Sequence, residues 1–361
     1  MIAPATMNSR DRVKAIIDRR SGDGAPDRAG FWMGNPHRDS WPALIRAFGD
    51  DATDGAGPAA QQLAVRRRLG DDFRWLSPEW SAYRHPQGKP MFDMGRTGES
   101  LNAPGVFAEC DSVQEVDDYS WPDPDYLDFT ACLEELRAAG EVYRASGFWS
   151  PFFHLAADFF GMDNYFVKMY THPDVVHAVT GHIVNFYLEA NRRFFAVAGD
   201  LVDGFFFGND FGTQLDLLIS PELFREFVFP YFRTLTDVGH EHGYQVILHS
   251  CGSIYKVIPD LIELGVDALH PLQAKAANME ADRLGAEFRG AVAFVGGIDT
   301  QELLVNGSPD QVAAEVRRVA RALGPNLVVS PSHEALLPNV PVDNVRAMAH
   351  AAAEAGRPAM R

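Results

Sequence analysis

The chain has 361 residues, 46% of them hydrophobic and 22% charged, with a formal net charge of −17. That is ordinary globular composition, long enough for one large α/β domain or two smaller ones without help from disulfides or metal. So acidic a surface repels polyphosphate and excludes nucleic acid as an expected partner, and no apolar run approaches the ~18–20 residues of a membrane span. Three cysteines, at 110, 132 and 251, make no disulfide framework, and segment 1–7 lacks the basic stretch and apolar core of a signal peptide. The expectation is a cytoplasmic enzyme acting on a small molecule.

Eight short runs rich in Val, Ile and Phe recur along the chain, at 29–33, 73–76, 142–148, 202–207, 244–248, 266–269, 292–295 and 327–329. Gly, Pro, Asp or Ser bound them, as expected of buried parallel strands. Amphipathic stretches separate the last five. The stretch 221–239 follows Ser220, an N-cap before Pro221. The stretch 253–264 stops at Gly265, and 308–323 starts Ser-Pro and ends at Gly324. The region from about 50 to 140 is less regular, with Trp75, Trp80 and Tyr83 in its first half. It reads as insertions and a lid over one domain spanning 1–361. The tail 347–355 is an alanine-rich helix.

Strand–helix alternation of this kind predicts βαβ units and a parallel sheet. Eight strands fit a closed (β/α)8 TIM barrel, with an open doubly wound sheet as the competitor. Polar residues at the end of one run after another favour the barrel: Asn35 and His37, Glu79, Trp149, Asn209 and Asp210, His249 and Cys251, Gln273, Asp299, Ser332 and His333. Only a closed ring brings all these strand ends to one mouth.

The most informative of them is Leu248-His249-Ser250-Cys251-Gly252. Alternate residues of an extended segment share a face, so an imidazole and a thiolate converge there, and both are zinc ligands. Gly252 permits close backbone approach. His333, after the last strand, is the third expected ligand, since Cys132 lies in a helical stretch and Cys110 in the insertion. His, Cys and His leave one tetrahedral position open, as catalytic zinc requires. Asp210 is a fourth ligand, an orienting group or a general acid/base, against the alternative of a turn aspartate before Gly212. Gln273 and Asp299 are candidate substrate-binding residues. Asp299, in Gly296-Gly297-Ile298-Asp299-Thr300, reads equally well as a helix cap. Trp32, Asn35 and Trp149 face the pocket by position. Arg66-Arg67-Arg68 and Arg317-Arg318 read as solvated helix faces, and Glu79 is a weak candidate. No P-loop, GxGxxG after a strand or GxSxG elbow is present.

Several segments in order resemble the uroporphyrinogen decarboxylase superfamily, especially its cobalamin/zinc methyltransferase-like branch. They are Asn209-Asp210-Phe211-Gly212, Ile219-Ser220-Pro221-Glu222-Leu223-Phe224, His249-Ser250-Cys251-Gly252-Ser253, Gly296-Gly297-Ile298-Asp299-Thr300-Gln301 and Pro338-Asn339-Val340-Pro341-Val342-Asp343-Asn344-Val345. Asn8-Ser9-Arg10-Asp11-Arg12-Val13 and Phe31-Trp32-Met33-Gly34 add to them. The resemblance implies a (β/α)8 barrel, often a homodimer, and one of two chemistries. The decarboxylases work without metal on a tetrapyrrole whose carboxylates are held by N-terminal arginines. The methyltransferases bind zinc through H-x-C and a later Cys, with a corrinoid protein as partner. This sequence has a single arginine, Arg38, where the decarboxylases carry several, and His333 where the methyltransferases carry the later cysteine. The expected function is zinc-dependent methyl transfer or O-demethylation between a small methylated substrate, such as an aromatic ether, and a corrinoid protein or thiol. A metal-free decarboxylase (a lyase) and a non-catalytic small-molecule or corrinoid-binding protein are the alternatives.

Overall fold

The computed structural model describes residues 7–49, 57–96, 98–333 and 335–356. Most of segment 1–7 and the start of the expected insertion at 50–56 lie outside these. Eight parallel strands form one sheet: β1 (Gly30–Phe31), β2 (Phe73–Trp75), β3 (Tyr143–Ser146), β4 (Gly204–Gly208), β5 (Gln245–His249), β6 (Ala268–His270), β7 (Ala293–Ile298) and β8 (Leu327–Pro331). Each expected run overlaps one of them, and the last five strands continue one to three residues beyond it. Neighbours follow chain order from β2 to β8, and β8 then pairs with β1. The sheet thus curls into the expected (β/α)8 barrel.

Among the described residues one seam carries no strand-to-strand ladder, that between β1 and β2. Asp72 spans it. Its amide donates to Phe31 O at 2.8 Å, and its carboxylate accepts from Phe31 N at 3.0 Å. The same carboxylate takes Arg28 at 2.8 and 3.0 Å, Arg12 at 2.8 Å and Ser9 at 2.6 Å. All three charged groups are buried. Arg12 belongs to α1 (Ser9–Ile17), whose Val13, Ile16 and Ile17 plug the bottom of the barrel.

Strand alternation sorts the side chains. Phe205, Phe207, Val246, Leu248, Leu269, Leu327 and Val329 face the helices, in the large outer core. Phe73, Phe206, Ile247, Ala268 and Val328 face inward. Two residues further along the same strands lie Trp75, Gly208, His249, His270 and Ser330, the layer nearest the mouth.

Two expected helices are broken, both at prolines. The stretch 221–239 is Pro221–Phe227 followed by Phe229–Glu241, because Pro230 lacks an N–H and its ring crowds the preceding turn. The stretch 253–264 is α-helical only over Ile258–Glu263, with Pro259 in its first turn and a 3₁₀ turn, Tyr255–Val257, before it. The third holds as Pro309–Leu323, with a Ser308–Gln311 capping box. The irregular region is more ordered than expected, since Pro58–Leu69 is a helix. Within its arginine run, Arg66 pairs with Asp71 at 2.8 Å and lies over the Trp41 ring. The alanine-rich tail is the helix Val342–Glu354. Among the described residues no helix is long and apolar enough to cross a membrane.

Replacing Asp72 by alanine leaves two buried guanidinium groups short of their anion and opens the seam. The expected loss is about 3–5 kcal/mol of unfolding free energy, read by denaturant titration. A loss below about 1 kcal/mol, the scale of an exposed pair, would show that the clasp does not hold the barrel closed.

Candidate metal centre

β5 ends in His249, buried and facing the barrel axis. Its Nε2 lies 3.3 Å from Cys251 Sγ and 3.4 Å from Asp210 Oδ1. The donor atoms of Asp210, His249 and Cys251 all fall within 4.8 Å of one another. Two zinc bonds of about 2.0–2.3 Å at a tetrahedral angle set their donors about 3.3–3.8 Å apart. The two distances from His249 and the N, S, O donor set therefore fit zinc.

Two loops converge to make this cluster. Cys251 N donates to Asp210 Oδ1 at 2.7 Å, Phe211 N to Ser250 Oγ at 3.1 Å, and Ser253 N to Thr213 O at 2.7 Å. Gly252 has φ +84, and a Cβ on it would collide with Gly212 O. A side chain there would push apart the loops that carry Asp210 and Cys251. Gln273 Oε1 accepts from Gly252 N at 3.0 Å and from Gln214 Nε2 at 2.7 Å, so it braces the same turn.

Charge at the cluster follows its partners. Burial opposes ionisation of Asp210, but the His249 hydrogen bond and charge and the Cys251 amide outweigh it, holding the carboxyl well below its usual range. Burial likewise opposes the Cys251 thiolate, and hydrogen bonds from His249 and His333 turn the balance, so its pKa is lowered. The buried thiols of Cys110 and Cys132 shift the other way.

The sequence reading put His333 third and left Asp210 open. The structure groups Asp210 with the H-x-C pair and brings His333 to the same thiol, its ring 6.3 Å from that of His249. The loop carrying His333 is tied down just beyond it, where Ala335–Leu336 pairs with Asn35–Pro36. Asn35 is half-buried there. Trp149 and Trp32 do line the interior. The Trp149 ring packs over Gly208, where a Cβ would collide with it, and lies 5.0 Å from His249. Asp299 points elsewhere. Its carboxylate accepts the amides of Gln301, Glu302 and Leu303, the cap alternative, and it lines a separate cleft with Lys275 and Arg318.

Three residues escaped or were underrated in the sequence. His270 ends β6 level with His249, and the two Nδ1 atoms are 2.9 Å apart. Such a partner fixes the ring that presents Nε2 to a metal. Burial holds the His270 ring neutral. His154, on the helix Phe152–Phe160, lies within charge range of Asp210 and His249; burial lowers its pKa against the pull of Asp210 and Asp158. Glu79 holds the wall. It accepts from Trp149 N at 3.0 Å and from Tyr187 Oη at 2.7 Å. The next residue, Ser150, sits at φ +51 and is gripped by Asn191 and Asn209.

Comparison with known proteins decides the family. The model of the family described as uroporphyrinogen decarboxylase (URO-D) matches residues 96–355. The chain belongs to the uroporphyrinogen decarboxylase family. Among solved structures, this URO-D family member is similar to a methyltransferase from Methanosarcina mazei, with TM-score 0.68 and 15% identity over 96% of this chain and 99% of that one. It is also similar to a putative vitamin-B12 independent methionine synthase from Listeria monocytogenes, with TM-score 0.45 and 12% identity over 91% and 98% of the two chains. No curated protein matches the chain. The first likeness establishes a shared fold.

Burial pushes the Glu79 carboxyl up from 4.5 to about 7, against the opposing hydrogen bonds from Tyr187, Trp149 and Ser150. Between those values the native state holds a proton that the unfolded chain has released, so stability falls as pH rises through this window. Glu79→Gln removes the titration. The wild type should therefore lose stability relative to Glu79→Gln between about pH 5 and about pH 8 in urea unfolding, and parallel curves would refute the assignment.

Proposed function

We propose that this URO-D family protein is a zinc-dependent methyltransferase, moving a methyl group between a small substrate and a corrinoid protein or a thiol. The observation that carries the reading is the Asp210–His249–Cys251 cluster at the barrel mouth, with His249 Nε2 at tetrahedral zinc spacing from both the Cys251 and the Asp210 donor. The fold shared with the Methanosarcina mazei methyltransferase supports it. The decarboxylase reading draws no comparable support, since Arg38 is exposed on the surface beside Asp39.

In this reading Asp210, His249 and Cys251 hold the metal. Zinc bound there supplies Lewis-acid charge, which polarises a substrate oxygen or favours a bound thiolate. His270 orients the His249 ring, and the Cys251 amide orients the Asp210 carboxylate. His333 hydrogen-bonds the Cys251 thiolate and tempers its charge. Trp149 walls the pocket beside His249 and restricts water there.

Metal analysis tests this directly. The purified protein should carry about one zinc per chain, and His249→Ala and Cys251→Ser should lose nearly all of it. Asp210→Asn, which removes a charged ligand, should weaken zinc binding by at least about 10- to 100-fold, the scale for loss of a partner that only orients a ligand. Methyl transfer from a panel of small methyl donors to cob(I)alamin, followed by the absorbance of methylcobalamin, should vanish with the zinc. Unchanged zinc content in Cys251→Ser, or transfer that survives full chelation, would sink the proposal.

A further inference from the structure

On the outer side of the barrel wall, two arginines share one carboxylate. Phe73 and Trp75 of β2 face the interior, so strand alternation turns Arg74 toward the helix layer. Its Nη1 lies 2.9 Å from Asp71 Oδ2 and donates to Phe73 O at 2.7 Å. Arg66 Nη1 reaches the same Asp71 oxygen at 2.8 Å. Arg74 is 6% exposed, and its Nη2 has no hydrogen-bond partner among the described residues. A buried donor left unmade is costly, and more so on a charged group.

Charge is unbalanced at the same place. Among the described residues Asp71 is the one carboxylate within ion-pair distance of either guanidinium. One positive charge is therefore left over, and Arg67 adds another from the same helix as Arg66. Burial, joined by the charges of Arg66 and Arg67, outweighs the pull of Asp71 and pushes the Arg74 guanidinium down to about 10. Buried charges are ordinarily paired, and a local surplus of positive charge runs against a chain whose net charge is −17.

A pocket of about 520 Å³ opens beside these arginines. Its walls come from the helix Pro58–Leu69, the helix Thr130–Ala138 and the end of β2. Leu63, Leu76 and Ala139 line it with hydrocarbon, and Arg66 and Arg74 line its barrel side. Glu135, exposed on the facing helix, lines it as well and forms an ion pair with neither arginine.

The chemistry of the pocket restricts its occupant. A guanidinium offers donors only, so the group that meets it is an acceptor. Its planar fork matches a carboxylate. One unmatched buried charge calls for one negative charge, and Glu135 across the pocket disfavours a polyanion. The remaining walls gain by covering an apolar body. Apolar walls with a few placed polar groups are the usual make-up of a small-molecule site.

We propose that this pocket is a binding site for a monocarboxylic acid with an aliphatic body. Its carboxylate is received by Arg66 and Arg74, and its chain lies along Leu63, Leu76 and Ala139. The site faces the helix layer, whereas the metal cluster faces the barrel mouth. It stands whatever reaction the mouth performs.

Octanoate and octanamide are suitable probes, alike in shape and different in charge. Each is titrated calorimetrically into the full-length protein. The wild type should bind octanoate about tenfold or more tighter than octanamide, the scale of a hydrogen bond to a charged group. Arg74→Met, which keeps an apolar stem and removes the charge, should narrow that preference to about twofold or less. Leu63→Glu sets a carboxylate in the apolar wall and should weaken octanoate by at least about tenfold. It decides the question if near-UV circular dichroism shows Arg74→Met misfolded. Cys251→Ser, stripped of metal, should keep the full preference. Four results would overturn the proposal: equal or undetectable binding of the two probes by the wild type, a full preference in folded Arg74→Met, undiminished octanoate binding in Leu63→Glu, or a preference that disappears in Cys251→Ser. The last would place the carboxylate at the metal instead.

Discussion

The barrel closes on a single carboxylate. Between β1 and β2, where no ladder joins the strands, Asp72 supplies a backbone hydrogen bond in one direction and a side-chain acceptor in the other. Arg12 and Arg28 then converge on it from the bottom plug and from the segment before β1. Buried ion pairs rarely add much net stability over apolar contacts, because desolvation offsets the attraction. Their value here lies in specificity. A seam filled with aliphatic side chains could slide, whereas one carboxylate shared by two guanidinium groups and an amide admits one register. Closure in that register sets Trp32 on β1 across from His270 on β6 and Phe206 on β4. The geometry at the mouth therefore depends on a contact at the opposite end of the barrel.

The cluster at the mouth differs in charge from what the H-x-C motif suggested. A third ligand of the neutral histidine type would leave two neutral donors and one thiolate. The structure also sets a carboxylate beside the pair, held by the Cys251 amide. In the proposed metal site, two anionic donors would offset a divalent cation, as two thiolates would. His333 is a neighbour that donates to the thiol. The position that seemed to weaken the metal reading is thus offset by Asp210, one strand away, through the facing turns at Gly212 and Gly252.

Much of the fold was legible because the strands are buried on both faces, which forces continuous Val, Ile and Phe runs between polar ends. The H-x-C pair was legible because both side chains come from one short segment at the end of β5. What depended on partners across the ring was not. Asp72 looks like any turn aspartate until Arg12 and Arg28 arrive from more than 40 residues away in sequence. His270 ends a three-residue strand whose apolar run stops one residue earlier, and only its register with His249 shows its part. His154 is enclosed in a phenylalanine-rich helix, Phe152–Phe160, that reads as core. Asp299 illustrates the opposite limit. Its sequence fitted a cap and a substrate ligand equally, and its carboxylate accepts three amides of the turn that leads into Leu303–Asn306. The broken helices at Pro230 and Pro259 were readable, since a proline that far into a predicted helix marks a new start.

The circuit of strands also explains why the mouth has two unlike halves. Trp32, Trp75 and Trp149 come from the ends of β1, β2 and β3, consecutive in the chain. Asp210, His249 and Cys251 come from the ends of β4 and β5. Phe206, inward on β4 and touching all three tryptophans, lies where the two arcs meet. Glycine at 208, directly above it, leaves the space that the Trp149 ring fills. A larger residue at 208 would displace Trp149 from its place beside His249. Removing the Glu79 acceptor would loosen the same ring from the other side, because its backbone would lose the bond that fixes the turn at Ser150. The apolar half is thus held in place by polar groups behind it, and the polar half by backbone contacts beneath it. That division keeps an aromatic surface dry within ring-contact distance of a charged cluster.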